Sequence, residues 1–175
     1  ILIYYKNNDI NMYNNDIVRR LKKSFFSLSS MVENILNIQP RDLAAIIDHT
    51  NLMPTATPHD IEKLCREARE YNFASVCVNS SMVTPAAESL EGSDVRVCSV
   101  VGFPLGAMDI TTKIEEARYA CQRGATEIDM VVNNGYLYAG NMDSYFDEIN
   151  AVAAAVVRAG GKVLKCIIET GYLTP

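Results

Sequence analysis

Tryptophan is absent from this chain, and histidine nearly so, with only His49 and His59. Two histidines are too few for a histidine-based zinc centre. The cysteines (Cys65, Cys77, Cys98, Cys121, Cys166) are odd in number and form no CxxC pair. Each lies in an apolar-periodic stretch, where a free thiol packs as a small hydrophobe. Their spacings give no hint of convergence, so the sequence points to no metal. No apolar run approaches the roughly 18–20 residues that a membrane span requires. An excess of basic charge is missing too: the net charge is −5 and the pI about 5.0, against the basic face that nucleic-acid binding needs. The chain reads as a reduced, soluble, cytoplasmic protein with neither nucleic acid nor membrane as partner.

What is present suits one globular domain. The 175 residues are 49% hydrophobic and 21% charged, with a mean hydropathy of +0.02. Residues 1–38 differ from the rest, with five basic and three acidic side chains and many asparagines, whereas 39–175 carry eleven basic and eighteen acidic. Composition therefore sets 1–38 apart as an extension outside the fold. RRLKKSFFSLSS (19–30) has transit-peptide character, weakened by Asp9 and Asp16, and Met31 offers an alternative start. The chain opens on Ile1 and stops at Pro175, and both ends look cut.

From residue 43 a regular alternation begins. Short apolar runs at LAAIID (43–48), SVCVN (75–79), RVCSVVGF (96–103), EIDMVV (127–132) and KVLKCIIE (162–169) read as strands. Between them lie helical patterns. TPHDIEKLCREAREY (57–71) has Thr57 as N-cap and Pro58 at the first helical position. MVTPAAESLEG (82–92) is weaker and ends on Gly92. TTKIEEARYACQRG (111–124) carries a Thr112–Glu115 capping box, and SYFDEINAVAAAVVRAGG (144–161) is capped by Ser144.

Strands apolar on both faces, alternating with amphipathic helices, indicate a parallel α/β sheet. A doubly wound nucleotide fold wants GxGxxG after its first strand, but DHTNLMPTAT (48–57) holds no glycine. A (β/α)₈ TIM barrel fits the rhythm, although such barrels usually run to about 250 residues. Only about the first five βα units fit here.

Charges inside buried strands mark the candidate site. Asp48 follows Ile46 and Ile47, Asp129 sits between Ile128 and Met130, and Lys165 between Leu164 and Cys166. Alternation puts Ile128, Met130 and Val132 on the helix-facing side and Asp129 on the barrel interior, where Lys165 would approach it. A desolvated lysine beside a carboxylate is a common setting for carbonyl chemistry. One such aspartate alone would read as a structural ion pair; three charges on three strands favour a site. VGFPLGAM (101–108) could admit a ligand to backbone or simply shape a turn, and the turn is the plainer reading. His49 at a strand end and His59 on the surface read as ordinary, and Cys77 as core or pocket wall.

IDHTNLMPTAT (47–57), SVCVN (75–79), VCSVVGFPLGA (97–107), KIEEARYACQRGATEIDMVVN (113–133) and VLKCIIETGYLTP (163–175) together resemble deoxyribose-phosphate aldolase, a class I aldolase family. The resemblance covers 43–175 in unbroken order. It implies a (β/α)₈ barrel that reversibly cleaves 2-deoxy-D-ribose 5-phosphate into acetaldehyde and D-glyceraldehyde 3-phosphate through a Schiff base, without metal or cofactor. Its partners would be phosphosugar and aldehyde substrates, with a homodimer left open. On that resemblance Asp129 matches the proton-relay aspartate, Lys165 an assisting lysine, Asp48 an aspartate of the same pocket and Cys77 a wall position.

The chain departs from the family in one respect. The Schiff-base lysine belongs to a KTSTG-like motif on a sixth strand, and the phosphate site to strands seven and eight; neither is among these residues. Lys63, Lys113 and Lys162 lie on helices or at a loop edge and cannot substitute. The expectation is an incomplete barrel, inactive alone, aggregating through a bare edge at its fifth strand. The rival expectation is a non-catalytic binding or assembly protein that completes its sheet with a partner.

Overall fold

The computed structural model of the chain describes residues 2–6 and 38–172; the transit-like segment and Met31 lie outside the described residues. Six strands form one sheet: β1 (Leu2–Lys6), β2 (Asp48–Asn51), β3 (Ser75–Val78), β4 (Arg96–Val101), β5 (Glu127–Val131) and β6 (Val163–Ile167). The helices are α1 (Pro40–Ala44), α2 (Pro58–Tyr71), α3 (Val83–Ser89), α4 (Ile110–Gln122), α5 (Asn134–Tyr138) and α6 (Met142–Arg158).

Strands β2 to β6 are parallel and adjacent in chain order. A doubly wound sheet reverses its strand order at a switch point; this one does not, as a barrel requires. All the helices that cross between strands pack on one face. Val76, Val78, Val97, Val101, Ile128, Met130, Val132, Leu164 and Cys166 join Ile61, Leu64, Ala68, Ala117 and Val152 in one core. The opposite parity (Cys77, Cys98 and Val100, with Leu52 beside them) forms a separate small cluster on the concave face.

Local chemistry explains several boundaries. Thr57 and Asp60 exchange hydrogen bonds in a capping box at α2, and Ile61, Leu64, Cys65 and Ala68 are its buried stripe, as the pattern predicts. Two caps differ from expectation. Asp109, not Thr112, caps α4 by accepting from the Thr111 amide, and Asn141, not Ser144, caps α6. In each case a side-chain oxygen further upstream reaches the free amides first. The first strand also moves. Gln39 and Asp42 form a capping box and Pro40 starts a helix, so Leu43 and Ala44 are helical and pairing begins at Asp48. The short α5 had no clear signal in the sequence.

The expectation of a bare edge at the fifth parallel strand is corrected. The backbone of Leu2–Lys6, from the stretch that composition sets apart, runs antiparallel along β6, from Leu2 opposite Ile167 to Lys6 opposite Val163. An edge strand offers a row of unpaired donors and acceptors that any extended segment can use.

The ends of β4 and β5 are fastened from beneath. Lys113 on α4 is fully buried and donates to the Val131 carbonyl (2.9 Å) and to Glu148 Oε1 (2.8 Å). Glu148 Oε2 accepts from the Asn133 amide. One turn along α4, Glu116 accepts from the Gly102 amide and from Ser80 Oγ. Gly106 lies so close to the Val132 carbonyl that a Cβ there would overlap it, which makes VGFPLGAM a packed turn. Removing one partner of a buried ion pair strands the other. Lys113→Met or Glu148→Leu is expected to cost about 3–5 kcal/mol by denaturant unfolding. The double variant should recover most of the loss; a single variant as stable as the parent would contradict the clasp.

Candidate active site on the concave face

Residues of one parity line the concave face: Asp48, Ser75 and Cys77, Arg96 and Cys98, Glu127 and Asp129, and Lys165, with Asp129 and Lys165 directly opposite in register. The buried Lys165 ammonium is the hub. It lies 2.6 Å from Asp48 Oδ2, 3.0 Å from Asp129 Oδ1 and 3.3 Å from Glu127 Oε2. Ser75 Oγ donates to the second oxygen of Asp48 (2.6 Å), and Arg96 pairs with Glu127 (2.9 Å). Cys77 Sγ donates to Asp129 Oδ2 at 3.8 Å.

The network holds three carboxylates against two cations, and it polarises them unequally. Burial works against the charge on Asp48, but the hydrogen bonds from Lys165 and Ser75 outweigh it and hold the carboxyl below its ordinary range. At Asp129 burial wins over Lys165, and the charge of Asp48 adds to it, so the carboxyl is pushed up. For Lys165, burial disfavours the ammonium. The charges of Cys98 (once ionised) and Asp129 and the hydrogen bond to Asp48 prevail, and its pKa is raised well above the lysine range. One lysine thus sits between a carboxyl held below its ordinary range and one pushed above it, a divergence of the kind that acid–base sites show.

The structure brings Asp48, Asp129, Lys165 and Cys77 together. It also adds Ser75, Arg96, Cys98 and Glu127, which the sequence reading did not single out. Ser75 and Cys98 stand opposite Asp48 and Cys77 in register, Glu127 lies two residues from Asp129, and Arg96 is opposite Ser75, so parity could have found them once strand order was known. His49 Nε2 contacts Glu67 (2.8 Å) on the helix side, and His59 is exposed beside Glu62. Among the described residues no helix is long and apolar enough to cross a membrane.

Comparison with known proteins shows the family to which the chain belongs. Residues 43–175 match the family model described as DeoC/LacD family aldolase. The chain is 51% identical over 142 residues to the deoxyribose-phosphate aldolase of Caldanaerobacter subterraneus subsp. tengcongensis, covering 81% of this chain but 59% of that protein. With the Thermotoga petrophila deoxyribose-phosphate aldolase it shares 53% over 132 residues, 75% of this chain and 52% of the relative. The chain thus spans between half and three-fifths of these relatives' length. Among solved structures, a candidate deoxyribose-phosphate aldolase from Coccidioides immitis superposes with a TM-score of 0.74 at 36% identity, covering 91% of this chain and 62% of that one. The tetrameric deoxyribose phosphate aldolase of Aeropyrum pernix gives 0.70 at 32%, covering 78% and 56%.

Linkage gives opposite signs for the two aspartates. Asp48, with its pKa lowered, contributes stability above the unfolded carboxylate value of about 3.9, lost as pH falls through its folded value. Asp129, raised, costs stability as pH climbs from about 3.9 through its folded value. At pH 7 Asp48→Asn should therefore unfold at lower denaturant than the parent, while Asp129→Asn should equal or exceed it. The difference should close in strong acid; equal losses at pH 7 would contradict the split.

Proposed function

Because this chain belongs to the DeoC/LacD family of aldolases, we propose that its concave site serves the reversible cleavage of 2-deoxy-D-ribose 5-phosphate to acetaldehyde and D-glyceraldehyde 3-phosphate, in deoxyribonucleotide catabolism in the cytoplasm. The observation that carries this reading is the shared Lys165, with Asp48 and Asp129 drawn in opposite directions across it.

In such a reaction a neutral lysine amine condenses with the sugar aldehyde and loses water. The C3 hydroxyl then gives up its proton, the C2–C3 bond breaks, and its electrons move into the iminium. Protonation of C2 and hydrolysis release acetaldehyde. Asp129, whose carboxyl is raised toward neutrality, is the proton carrier for these steps. Lys165 orients Asp129 and supplies positive charge beside it, Asp48 and Ser75 anchor Lys165, and Cys77 forms the wall at Asp129.

Lys165 is ill suited to be the nucleophile. Three carboxylates surround its nitrogen and hold it as ammonium, with no free electron pair to attack a carbonyl. The KTSTG-like motif to which the resemblance assigns the covalent lysine is not among these 175 residues. The relatives' additional length supports assigning that step to a part of the barrel outside them. The rival reading, an assembly protein that completes its sheet with a partner, gives no task to the two aspartates drawn in opposite directions across Lys165.

The 175-residue chain treated with acetaldehyde and borohydride should carry no adduct on Lys165 by mass spectrometry; a stoichiometric adduct there would overturn the assignment. Joined to the C-terminal strands of the Caldanaerobacter relative, the same residues should cleave the sugar phosphate. Asp129→Asn in that fusion should lower kcat by roughly 10²–10⁴-fold. A folded fusion whose kcat ignores the substitution would refute the role of Asp129.

A further inference from the structure

The proton chemistry leaves one cluster unused. Cys77 and Cys98 are directly opposite each other on neighbouring parallel strands, β3 and β4, and both point to the concave face. Their sulfurs and a carboxylate oxygen of Asp129 all lie within 4.8 Å of one another, and all three residues are buried. Among the described residues this is the one group of three such ligand atoms. The remaining cysteines, Cys65, Cys121 and Cys166, pack in the helix-facing core.

From this juxtaposition we propose that Cys77, Cys98 and Asp129 form a binding site for a thiophilic divalent cation of the zinc or cadmium class. This does not rest on the aldolase reading; it stands on the three side chains alone.

Size, donor type and charge all suit such an ion. A tetrahedral ion with bonds of about 2.0–2.3 Å sets its ligand atoms roughly 3.3–3.8 Å apart. Cys77 Sγ and Asp129 Oδ2 already stand 3.8 Å apart. Two sulfurs and one oxygen favour a soft or borderline cation over magnesium or calcium, which take oxygen ligands. The other Asp129 oxygen stays with Lys165 at 3.0 Å, so the carboxylate can serve both cations from opposite sides.

Charge decides the matter in a buried pocket. Each thiol loses its proton to solvent as its S–H bond is replaced by a sulfur–metal bond. Two protons leave and one dication enters, so the charge of the pocket does not change. Without the ion the two side chains pack as small hydrophobes, which is why their sequence spacing betrays nothing.

The test is a titration of the reduced 175-residue chain with cadmium, followed by the ultraviolet thiolate-to-cadmium charge-transfer band and by proton release. One ion per chain, about two protons released per ion, and a rise in melting temperature are expected. Cys98→Ala should abolish band and melting shift while keeping the far-ultraviolet spectrum of the parent, and Cys121→Ala should keep both. Asp129→Asn should retain the band but weaken binding at least tenfold. No band in the parent, or an undiminished band in folded Cys98→Ala, would overturn the site.

Discussion

The contact between Lys165 and Asp48 constrains everything on the concave face. These residues belong to β6 and β2, the two ends of the parallel set. In a flat sheet four strand spacings would hold them about 19 Å apart. Their 2.6 Å separation is possible only if the sheet curls strongly, as a closing barrel does. A single ammonium thus ties the first parallel strand to the fifth. A charge removed from water in this way must be met by several acceptors, and Asp48, Asp129 and Glu127 supply them.

The same sheet carries a second buried lysine on its other side, with a different task. Lys113 holds the Val131 carbonyl at the end of β5 and Glu148 on α6. It has no unequal pair of carboxylates to divide between charge states, so its neighbourhood fixes shape. Around Lys165, by contrast, hydrogen bonding prevails at Asp48 and desolvation at Asp129. The two environments differ by face: a buried clasp among the helices, and unequally perturbed carboxyls inside the curl.

Much of this was legible in the sequence, for a definite reason. Period-two alternation in EIDMVV and VLKCI assigns each residue a face, so a carboxylate and an amine of the same parity had to meet if the strands were parallel neighbours. The Thr57 cap and the stripe on α2 were equally plain because both are local. What escaped was non-local or hidden by composition. Lys113 looks like any helix-surface lysine, and nothing near it in sequence announces Glu148. Cys77 and Cys98 are 21 residues apart along the chain, and only strand register makes them opposite. Asp48 was placed correctly, but the strand around it was drawn too early, because an apolar run cannot reveal that Pro40 and Asp42 have already started a helix.

The unequal treatment of two aspartates by one lysine is the claim on which the functional reading depends. Carbon-13 carboxyl NMR, following Asp48 and Asp129 through a pH titration of the chain, tests it most directly. Asp129 should take up its proton at a clearly higher pH than Asp48, with Lys165→Met shifting both midpoints upward. Coincident midpoints, or Asp48 titrating above Asp129, would contradict the account.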